Sequence, residues 1–296
     1  MKALVVGAPG QVGSALMRIL PTAGFEAVGT YRSRPRPGMQ RLDVTDGAAV
    51  DDVIDRERPA LVFLTAALTA VDYCEDHADE ATAINVRGSA AVARAAARHG
   101  AKLVFYSTEY VFDGAAGPYG EDDPISPAGV YAWSKAEGER AVLDAAPDAL
   151  IARTTVVFSW DPDSLNFGMQ VWKRLSAGER MRVPGDQVSN PTLADFLALA
   201  TIVLAQDDVR GIVNVVGQDR VDRATFARRL AAGLGLDAGL IDAVATADLH
   251  QAAARPLNAG LRTEKLAALL GRPPMSLDDA IAIFARRARA GTSAAT

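Results

Sequence analysis

The chain has 296 residues, of which 49% are hydrophobic and 23% are charged, and its formal net charge is −5. This allows a large core in one two-lobed unit or two domains. Because the basic residues are scattered, the sequence excludes the basic stripe of a nucleic-acid-binding protein and the cationic helix of a membrane-surface protein. The one cysteine, Cys74, excludes an intramolecular disulfide framework and favours a reducing cytoplasm, and with three dispersed histidines no metal site is expected.

The first half of the chain alternates short apolar runs with stretches of helical length. These runs are rich in Val, Ile, Leu and Phe on both faces, which is typical of buried parallel strands, and repeated strand–helix–strand units imply right-handed crossovers. We therefore predict an α/β fold with a doubly wound, mostly parallel sheet. The predicted strands lie at residues 3–8, 25–31, 60–67, 102–108, 149–158 and 211–217.

The first predicted strand runs into GAPGQVG, which places three glycines before a helix. Glycines there allow a tight turn and close approach of the backbone to a pyrophosphate, and the helix N-terminus supplies N–H donors and a positive dipole to the phosphates. The order of strand, glycine turn and helix distinguishes this motif from a glycine turn without a ligand. We predict a Rossmann-type dinucleotide site at Gly7, Gly10 and Gly13.

The end of the second predicted strand, GTYRSRPR, carries no acidic residue. An NAD site usually places Asp or Glu there to bind the ribose, whereas the guanidinium of Arg32 suits a 2′-phosphate. We predict NADPH as the cofactor, with NADH as the alternative because loop arginines are also common as solvated residues. Asp43 and Val44 are placed to meet the adenine ring, although Asp43 could equally cap the helix that begins near Asp46.

Two further segments supply polar side chains to the same cleft. Ser107 and Thr108 end a predicted strand, and ligands of open α/β sheets bind beyond the carboxyl ends of the strands. Tyr131 and Lys135 lie four apart at the start of a predicted helix, so their side chains share one face. Ketone reduction needs a hydride and a proton; Tyr131 can deliver the proton if Lys135 lowers its pKa, and Thr108 can hydrogen-bond the reacting oxygen. An isolated Tyr-x-x-x-Lys is more often a pair of exposed residues. The glycine turn and the strand end at Thr108 are the context that indicates a reductase.

The pattern loosens after about residue 160, and a second part of the molecule is expected there. We predict a dinucleotide-binding domain over 1–160, with 192–217 packing back onto it, and mainly a smaller α+β substrate-binding lobe over 161–296. The elements predicted in this second part are a helix over 167–179, a loop over 183–192, an apolar helix over 191–205 and further helices from Asp222 onward.

The sequence resembles the dTDP-4-dehydrorhamnose reductase family of the extended short-chain dehydrogenase/reductase superfamily. The match runs in the family's order across almost the whole chain, and STEYVFDG with the later DQ–PT pair is more specific than the glycine triplet. The matching segments are GAPGQVG (7–13), LTAALTAVDYCED (64–76), Asn85, STEYVFDG (107–114), VYAWSKAEGE (130–139), RTTVVF (153–158), Asn166–Phe167, DQVSNPT (186–192) and RPLNAGL (255–261).

This resemblance implies an enzyme that binds a sugar nucleotide with a 4-keto group and reduces it with NADPH or NADH; a homodimer is compatible with the family. The implied catalytic residues are Thr108, Tyr131 and Lys135. The implied substrate contacts are Thr108, Glu109, Val156 and Asn166. The positions that match cofactor contacts are Gly10, Gln11, Val12, Asp43, Val44, Ala66 and Ala67.

Three positions depart from the family, which usually has Asp at Glu109, an aromatic residue or His at Leu68, and commonly Trp at Val156. Smaller side chains at 68 and 156 reshape the pocket, so the expected substrate is a related 4-keto-deoxysugar or another carbonyl compound. Two alternatives stay open: a sugar-nucleotide dehydratase or epimerase, and a non-catalytic NADP-binding regulatory subunit similar to the β subunit of methionine adenosyltransferase. Against the former, dehydratases place two acids after the Thr, whereas Tyr110 follows Glu109 here.

Overall fold

The computed structural model describes residues 1–293. Its strands are β1 Lys2–Val6, β2 Glu26–Tyr31, β3 Gln40–Arg41, β4 Leu61–Leu64, β5 Lys102–Thr108, β6 Leu150–Thr154, β7 Val157–Phe158, β8 Met181–Pro184, β9 Val188–Ser189, β10 Thr192–Leu193, β11 Gly211–Asn214, β12 Val221–Asp222 and β13 Ile241–Val244. Its α-helices are α1 Gln11–Ile19, α2 Gly47–Glu57, α3 Val71–Asp76, α4 Ala78–Ala81, α5 Ser89–Arg98, α6 Val130–Ala145, α7 Phe167–Ser176, α8 Ala194–Gln206, α9 Arg223–Leu234, α10 Glu264–Leu270 and α11 Leu277–Ser293.

Seven strands form one sheet in the order β11-β6-β5-β4-β1-β2-β3, and every neighbouring pair in it is parallel. Parallel neighbours require crossover connections, and helices supply them except between β2 and β3; α7 and α8 lie in the connection from β6 to β11. Strands β2 and β3 lie on one side of β1, and β4, β5, β6 and β11 lie on the other, so the chain winds outward from β1 in both directions. The predicted doubly wound sheet is confirmed, and its strands are parallel throughout.

Both faces of the sheet are covered, which explains why its strands are apolar on both sides. One core lies between the sheet and helices α1 and α8, and includes Leu16 and Leu197. The other lies between the sheet and helices α2, α5 and α6, and includes Val50, Val92 and Val142. Each core buries side chains from alternate positions of the same strands, as a sheet sandwiched between two helical layers requires.

The predicted run over 149–158 is not one strand. It divides into β6 and β7 at Val156, whose φ of +37° is a left-handed conformation that β-branched residues rarely adopt. β7 then pairs with β10, outside the main sheet. The short strands β8, β9 and β13 were predicted as loop or helix, because two to four residues are too few to show a hydrophobic period.

The chain returns to the main sheet late in the sequence. Strand β11 pairs in parallel with β6 at the sheet's edge, and α8 packs against α1. The division of the chain into domains over 1–160 and 161–296 stays a prediction. Judged by length and hydropathy, no helix within residues 1–293 could cross a bilayer.

Candidate active site

A cavity of about 410 Å³ lies where β1, β4, β5 and β6 end. This is the edge at which open parallel sheets bind their ligands. Side chains from the glycine turn, the end of β5 and the start of α6 converge on it. The lining residues that the sequence had singled out are Gly10, Gln11, Val12, Gly13, Ala67, Ser107, Thr108, Glu109, Tyr131, Lys135 and Val156.

A second cavity of about 460 Å³ adjoins the first and holds most of the remaining predicted cofactor residues. The two cavities share Gly10, Thr65, Ala67 and Thr69, so together they form one continuous groove across the glycine turn. The predicted residues that line the second cavity are Gly7, Gly10, Arg32, Val44, Ala66 and Ala67. Arg34 lines it as well.

Asp43 does not line either cavity. Its carboxylate accepts hydrogen bonds from the backbone N–H and the hydroxyl of Thr45, at 3.0 and 2.7 Å. Burial tends to raise the pKa of Asp43, but the Thr45 hydrogen bonds and the charges of Arg32 and Arg41 leave it below its ordinary value. The helix cap is Asp46, whose side chain accepts from Ala49 N at 3.1 Å, so the alternative role for Asp43 as that cap is wrong.

The glycine turn admits no side chain at two of its positions. Gly7 has φ +93°, and a Cβ there would lie 2.7 Å from Ala66 N. A Cβ at Gly13 would lie 2.5 Å from the carbonyl oxygen of Gly7. The first glycine therefore permits the sharp turn, and the last lets α1 approach β1 closely. This bare backbone at the start of α1 is the feature that a pyrophosphate needs.

Asn85 fixes the loop between β4 and α3 to the helix that carries Tyr131. It lies in a π-helical segment over Thr82–Gly88 and is fully buried. Its Oδ1 accepts from Leu68 N at 2.8 Å, and its Nδ2 donates to Leu68 O at 3.0 Å and to Ser134 Oγ at 2.9 Å. A single amide thus holds two walls of the groove at a set distance.

Tyr131 sits in the first turn of α6 with 8% of its surface exposed. Burial is the main cause that raises its pKa, and the nearby Glu109 carboxyl raises it further, while a hydrogen bond with Thr108 acts in the opposite direction. The prediction that Lys135 lowers this pKa is therefore not what the structure shows. The phenol keeps its proton at neutral pH.

Lys135 is buried one turn further along α6 and faces β5. Its ammonium donates to the carbonyl of Tyr106 at 2.7 Å and lies 4.1 Å from the centroid of the Phe105 ring. These contacts explain why Lys135 does not act on the phenol directly. Burial lowers the pKa of Lys135 to about 7, while the Glu139 carboxylate one turn away raises it.

Thr108 and Glu109 form a hydrogen-bonded pair at the end of β5. The Thr108 hydroxyl donates to Glu109 Oε2 at 2.8 Å, and both residues are buried. Burial raises the pKa of Glu109 to about 7, even though the Thr108 hydrogen bond and the charge of Arg223 lower it. A carboxyl group that titrates near neutrality therefore stands beside the Tyr131 phenol.

Val156 and Asn166 were both predicted to contact substrate, but only Val156 lines the first cavity. Val156 lines the first cavity in a strained conformation, with its carbonyl accepting from Thr192 N at 3.2 Å. Asn166 is not among the residues that line this cavity. Its side chain caps α7 by accepting from Met169 N at 3.2 Å, and it donates to Ser159 O at 2.9 Å.

Three polar atoms of the cavity wall are buried without a hydrogen-bond partner in the described part of the chain. They are Ser107 Oγ, Thr154 Oγ1 and Arg223 Nε. Buried polar groups are almost always hydrogen-bonded, so a cluster of exceptions around one cavity indicates where a polar ligand binds.

A model of the RmlD substrate binding domain family matches residues 1–289. The chain belongs to this family. The family and the fold agree with the resemblance noted in the sequence.

Named relatives of this RmlD-family chain include reductases. It is 34% identical over 289 residues to a probable low-salt glycan biosynthesis reductase, Agl14, of Haloferax volcanii, covering 95% of this chain and 96% of that one. It is 35% identical over 279 residues to a dTDP-4-dehydrorhamnose reductase of Mycobacterium tuberculosis, covering 92% and 88%. A crystal structure of dTDP-4-dehydrorhamnose reductase from Bacillus anthracis in complex with NADP superposes with a TM-score of 0.88 at 27% identity, over 96% of this chain and 98% of that one.

Several lining residues were missed by the sequence analysis. Thr154 ends β6 and Thr155 follows it, and the rule that placed Thr108 in the cleft would have placed them there too. Tyr110 follows a predicted substrate residue directly. Arg223 had no local signal, because it reaches the cavity from a helix more than a hundred residues beyond β5.

Proposed function

We propose that this chain is an NADPH-dependent reductase of a carbonyl group in a nucleotide-linked 4-keto-6-deoxysugar. The observation that carries the proposal is the convergence of Thr108, Tyr131 and Lys135 on one wall of a cavity whose opposite wall is the glycine turn. Membership of the RmlD family and the names of its relatives support the same reaction class. Of the positions that depart from the family, Val156 lines this cavity and Leu68 lines the second one. The assay described below identifies the sugar.

The residues of the groove fit a dinucleotide. The turn at Gly7 and Gly13 has no room for side chains, and Arg32 lines the far cavity where a 2′-phosphate would be held. The NADP-bound relative from Bacillus anthracis supports this assignment. When bound, a reduced nicotinamide supplies the hydride.

The protein's own groups orient the ketone and supply its proton. The Thr108 hydroxyl and the Tyr131 phenol both line the cavity from adjacent elements. The phenol can donate to the carbonyl oxygen, and the Thr108 hydroxyl can do so when it turns away from Glu109 Oε2. Since its pKa is raised, Tyr131 is protonated at neutral pH and can donate when that oxygen becomes an alkoxide, which is a stronger base than a phenolate. Lys135 fixes α6 to β5 through the Tyr106 carbonyl and so positions Tyr131, one turn earlier on the same helix.

The proposal is tested by following NADPH oxidation with a panel of nucleotide-linked 4-keto-deoxysugars. We expect stoichiometric NADPH consumption with at least one of them and a reduced sugar as product. A sugar converted without net NADPH consumption would favour a dehydratase or epimerase. Silence across the panel, together with tight stoichiometric capture of one protein partner, would favour the regulatory subunit instead.

Arg32 is expected to set the preference for NADPH over NADH. Replacing it by Leu removes a charged hydrogen-bond donor from the far cavity, so KM for NADPH should rise about 10- to 100-fold while KM for NADH changes little. Arg36→Leu is the matched control, because Arg36 is an equally exposed loop arginine that does not line that cavity. Equal effects of the two substitutions on both cofactors would contradict this assignment.

The setting of the protein is part of the proposal. A single buried cysteine and a net charge of −5 suit a cytoplasmic enzyme with a small-molecule substrate. A homodimer is compatible with the family, and light scattering of the purified chain checks it.

A further inference from the structure

Arg223 lines the substrate side of the cavity as the first residue of α9, and its backbone is firmly held. Strand β12 directly before it pairs with β9, and Arg223 N donates to Gln187 O at 3.0 Å. The preceding Asp222 caps α9 by accepting from Thr225 N at 2.8 Å. The side chain is therefore presented to the cavity from a fixed point.

The guanidinium of Arg223 makes no hydrogen bond and no close ion pair with a carboxylate within residues 1–293. No carboxylate oxygen lies within the 4.0 Å of an ion pair, and Nε is buried without a hydrogen bond. Its carbon lies 4.9 Å from the centroid of the Phe167 ring, a contact that orients the group but does not neutralise it. The carboxyl of Glu109, which also lines the cavity, accepts from Thr108 and interacts with Arg223 only through its charge.

Two other poorly exposed arginines of the chain are each hydrogen-bonded to a carboxylate. Arg153 makes two hydrogen bonds to Glu139, at 2.9 and 2.7 Å, and Arg255 donates to Asp72 at 2.8 Å. Arg223 is only partly buried, but its Nε is withdrawn from water without a hydrogen bond, which is unfavourable for a charged group. Arg223 differs from both because its open side faces the cavity, where a ligand can supply the negative charge.

We propose that Arg223 binds the diphosphate group of the substrate, through paired hydrogen bonds from its guanidinium to phosphate oxygens. This inference rests on the proposed function, since a nucleotide-linked sugar carries that group next to the ring that is reduced. Guanidinium and phosphate match in geometry, and the interaction is charge-assisted. Because the diphosphate does not react, Arg223 contributes to substrate binding rather than to the chemical step.

Calorimetry on the NADPH-saturated protein tests the inference without turnover, with dTDP, thymidine, inorganic pyrophosphate and glucuronate as separate probes. We expect dTDP to bind the wild type and Arg223→Met to weaken that binding about 10- to 100-fold. Arg223→Lys should have an intermediate effect, because lysine keeps the positive charge but cannot make the paired hydrogen bonds of a guanidinium. Thymidine binding and NADPH binding should be unchanged. Arg228→Met, an exposed residue of the same helix, is the matched control and should behave as the wild type.

Unchanged dTDP binding in Arg223→Met, with the fold intact by thermal melting, overturns the inference, as does a wild type that binds no dTDP. If glucuronate binding depended on Arg223 and dTDP binding did not, the guanidinium would bind a carboxylate and the diphosphate assignment would be wrong. The proposed function is tested by a different measurement. If the wild type reduced no ketosugar, the proposed function would be wrong, but dTDP binding that depends on Arg223 would still support the role of this residue. Where turnover is present, KM for the ketosugar should rise in Arg223→Met with kcat nearly constant.

Discussion

Replacing Tyr131 by Phe is expected to lower kcat for ketosugar reduction by about 100- to 10,000-fold, the usual contribution of a positioned proton donor. The substitution removes one oxygen atom and leaves the ring in its place beside Cys74 and Ala81. Because the proposed hydrogen bond from Thr108 to the carbonyl oxygen is not removed, substrate binding should change much less than turnover. NADPH oxidation under saturating substrate measures kcat, and fluorescence titration measures NADPH binding.

Tyr73→Phe is the control for this substitution. Tyr73 is 43% exposed and its hydroxyl hydrogen-bonds Glu80 outside the cavity, so loss of its phenol should leave kcat within about 2-fold of the wild type, as for most surface changes. If Tyr131→Phe kept wild-type turnover, the proton would have to come from another group and the proposed mechanism would fail.

The raised pKa of Tyr131 changes how Lys135 takes part. The sequence suggested that the ammonium lowers the pKa of the phenol, but Lys135 is committed to the Tyr106 carbonyl. Burial and the Glu109 carboxyl instead keep the phenol protonated, which is the form that a reduction requires. We therefore expect Lys135 to act by holding α6 against β5, which positions Tyr131, rather than by changing the acidity of the phenol.

The parts of the site that the sequence predicted are those fixed by local signals. Strand β5 was predicted at its observed bounds, because its apolar run ends sharply at Thr108 and a loop follows. Helix α6 begins at Val130 as predicted, since Gly129 has φ +90° and ends the preceding turn-rich segment. With both elements placed, the meeting of Thr108, Tyr131 and Lys135 followed from the geometry of a parallel sheet.

The parts that the sequence did not predict depend on contacts between distant segments. Nothing near Arg223 indicates that α9 delivers it to the cavity formed by β5 and α6. The break at Val156 was hidden inside an apolar run, because Thr155 and Val156 leave the sheet to bond Asn190 and Thr192. Such tertiary hydrogen bonds override the local preference for a strand, and no periodicity reports them.

The helix that carries Tyr131 is held to the sheet by a buried ion pair, and breaking it should destabilise the whole protein. Arg153 on β6 and Glu139 on α6 are 3% and 5% exposed and are joined by two hydrogen bonds. Arg153→Met leaves the Glu139 carboxylate buried without its partner. We expect the free energy of unfolding to fall by about 3–5 kcal/mol, measured by urea denaturation.

Arg140→Met tests whether burial is the cause of this loss. Arg140 lies on the same helix and pairs with Glu137 and Asp144, but it is 64% exposed, so its removal should cost no more than about 0.5–1 kcal/mol. The double variant Arg153→Met/Glu139→Leu should recover much of the stability lost in Arg153→Met, because it removes the unpaired charge as well. Equal losses for the buried and the exposed pair would show that the Arg153–Glu139 contact is not what fastens α6 to β6. Glu139 is also the carboxylate that favours the charged form of Lys135, so the same pair links the stability of the helix to the charge beside Tyr131.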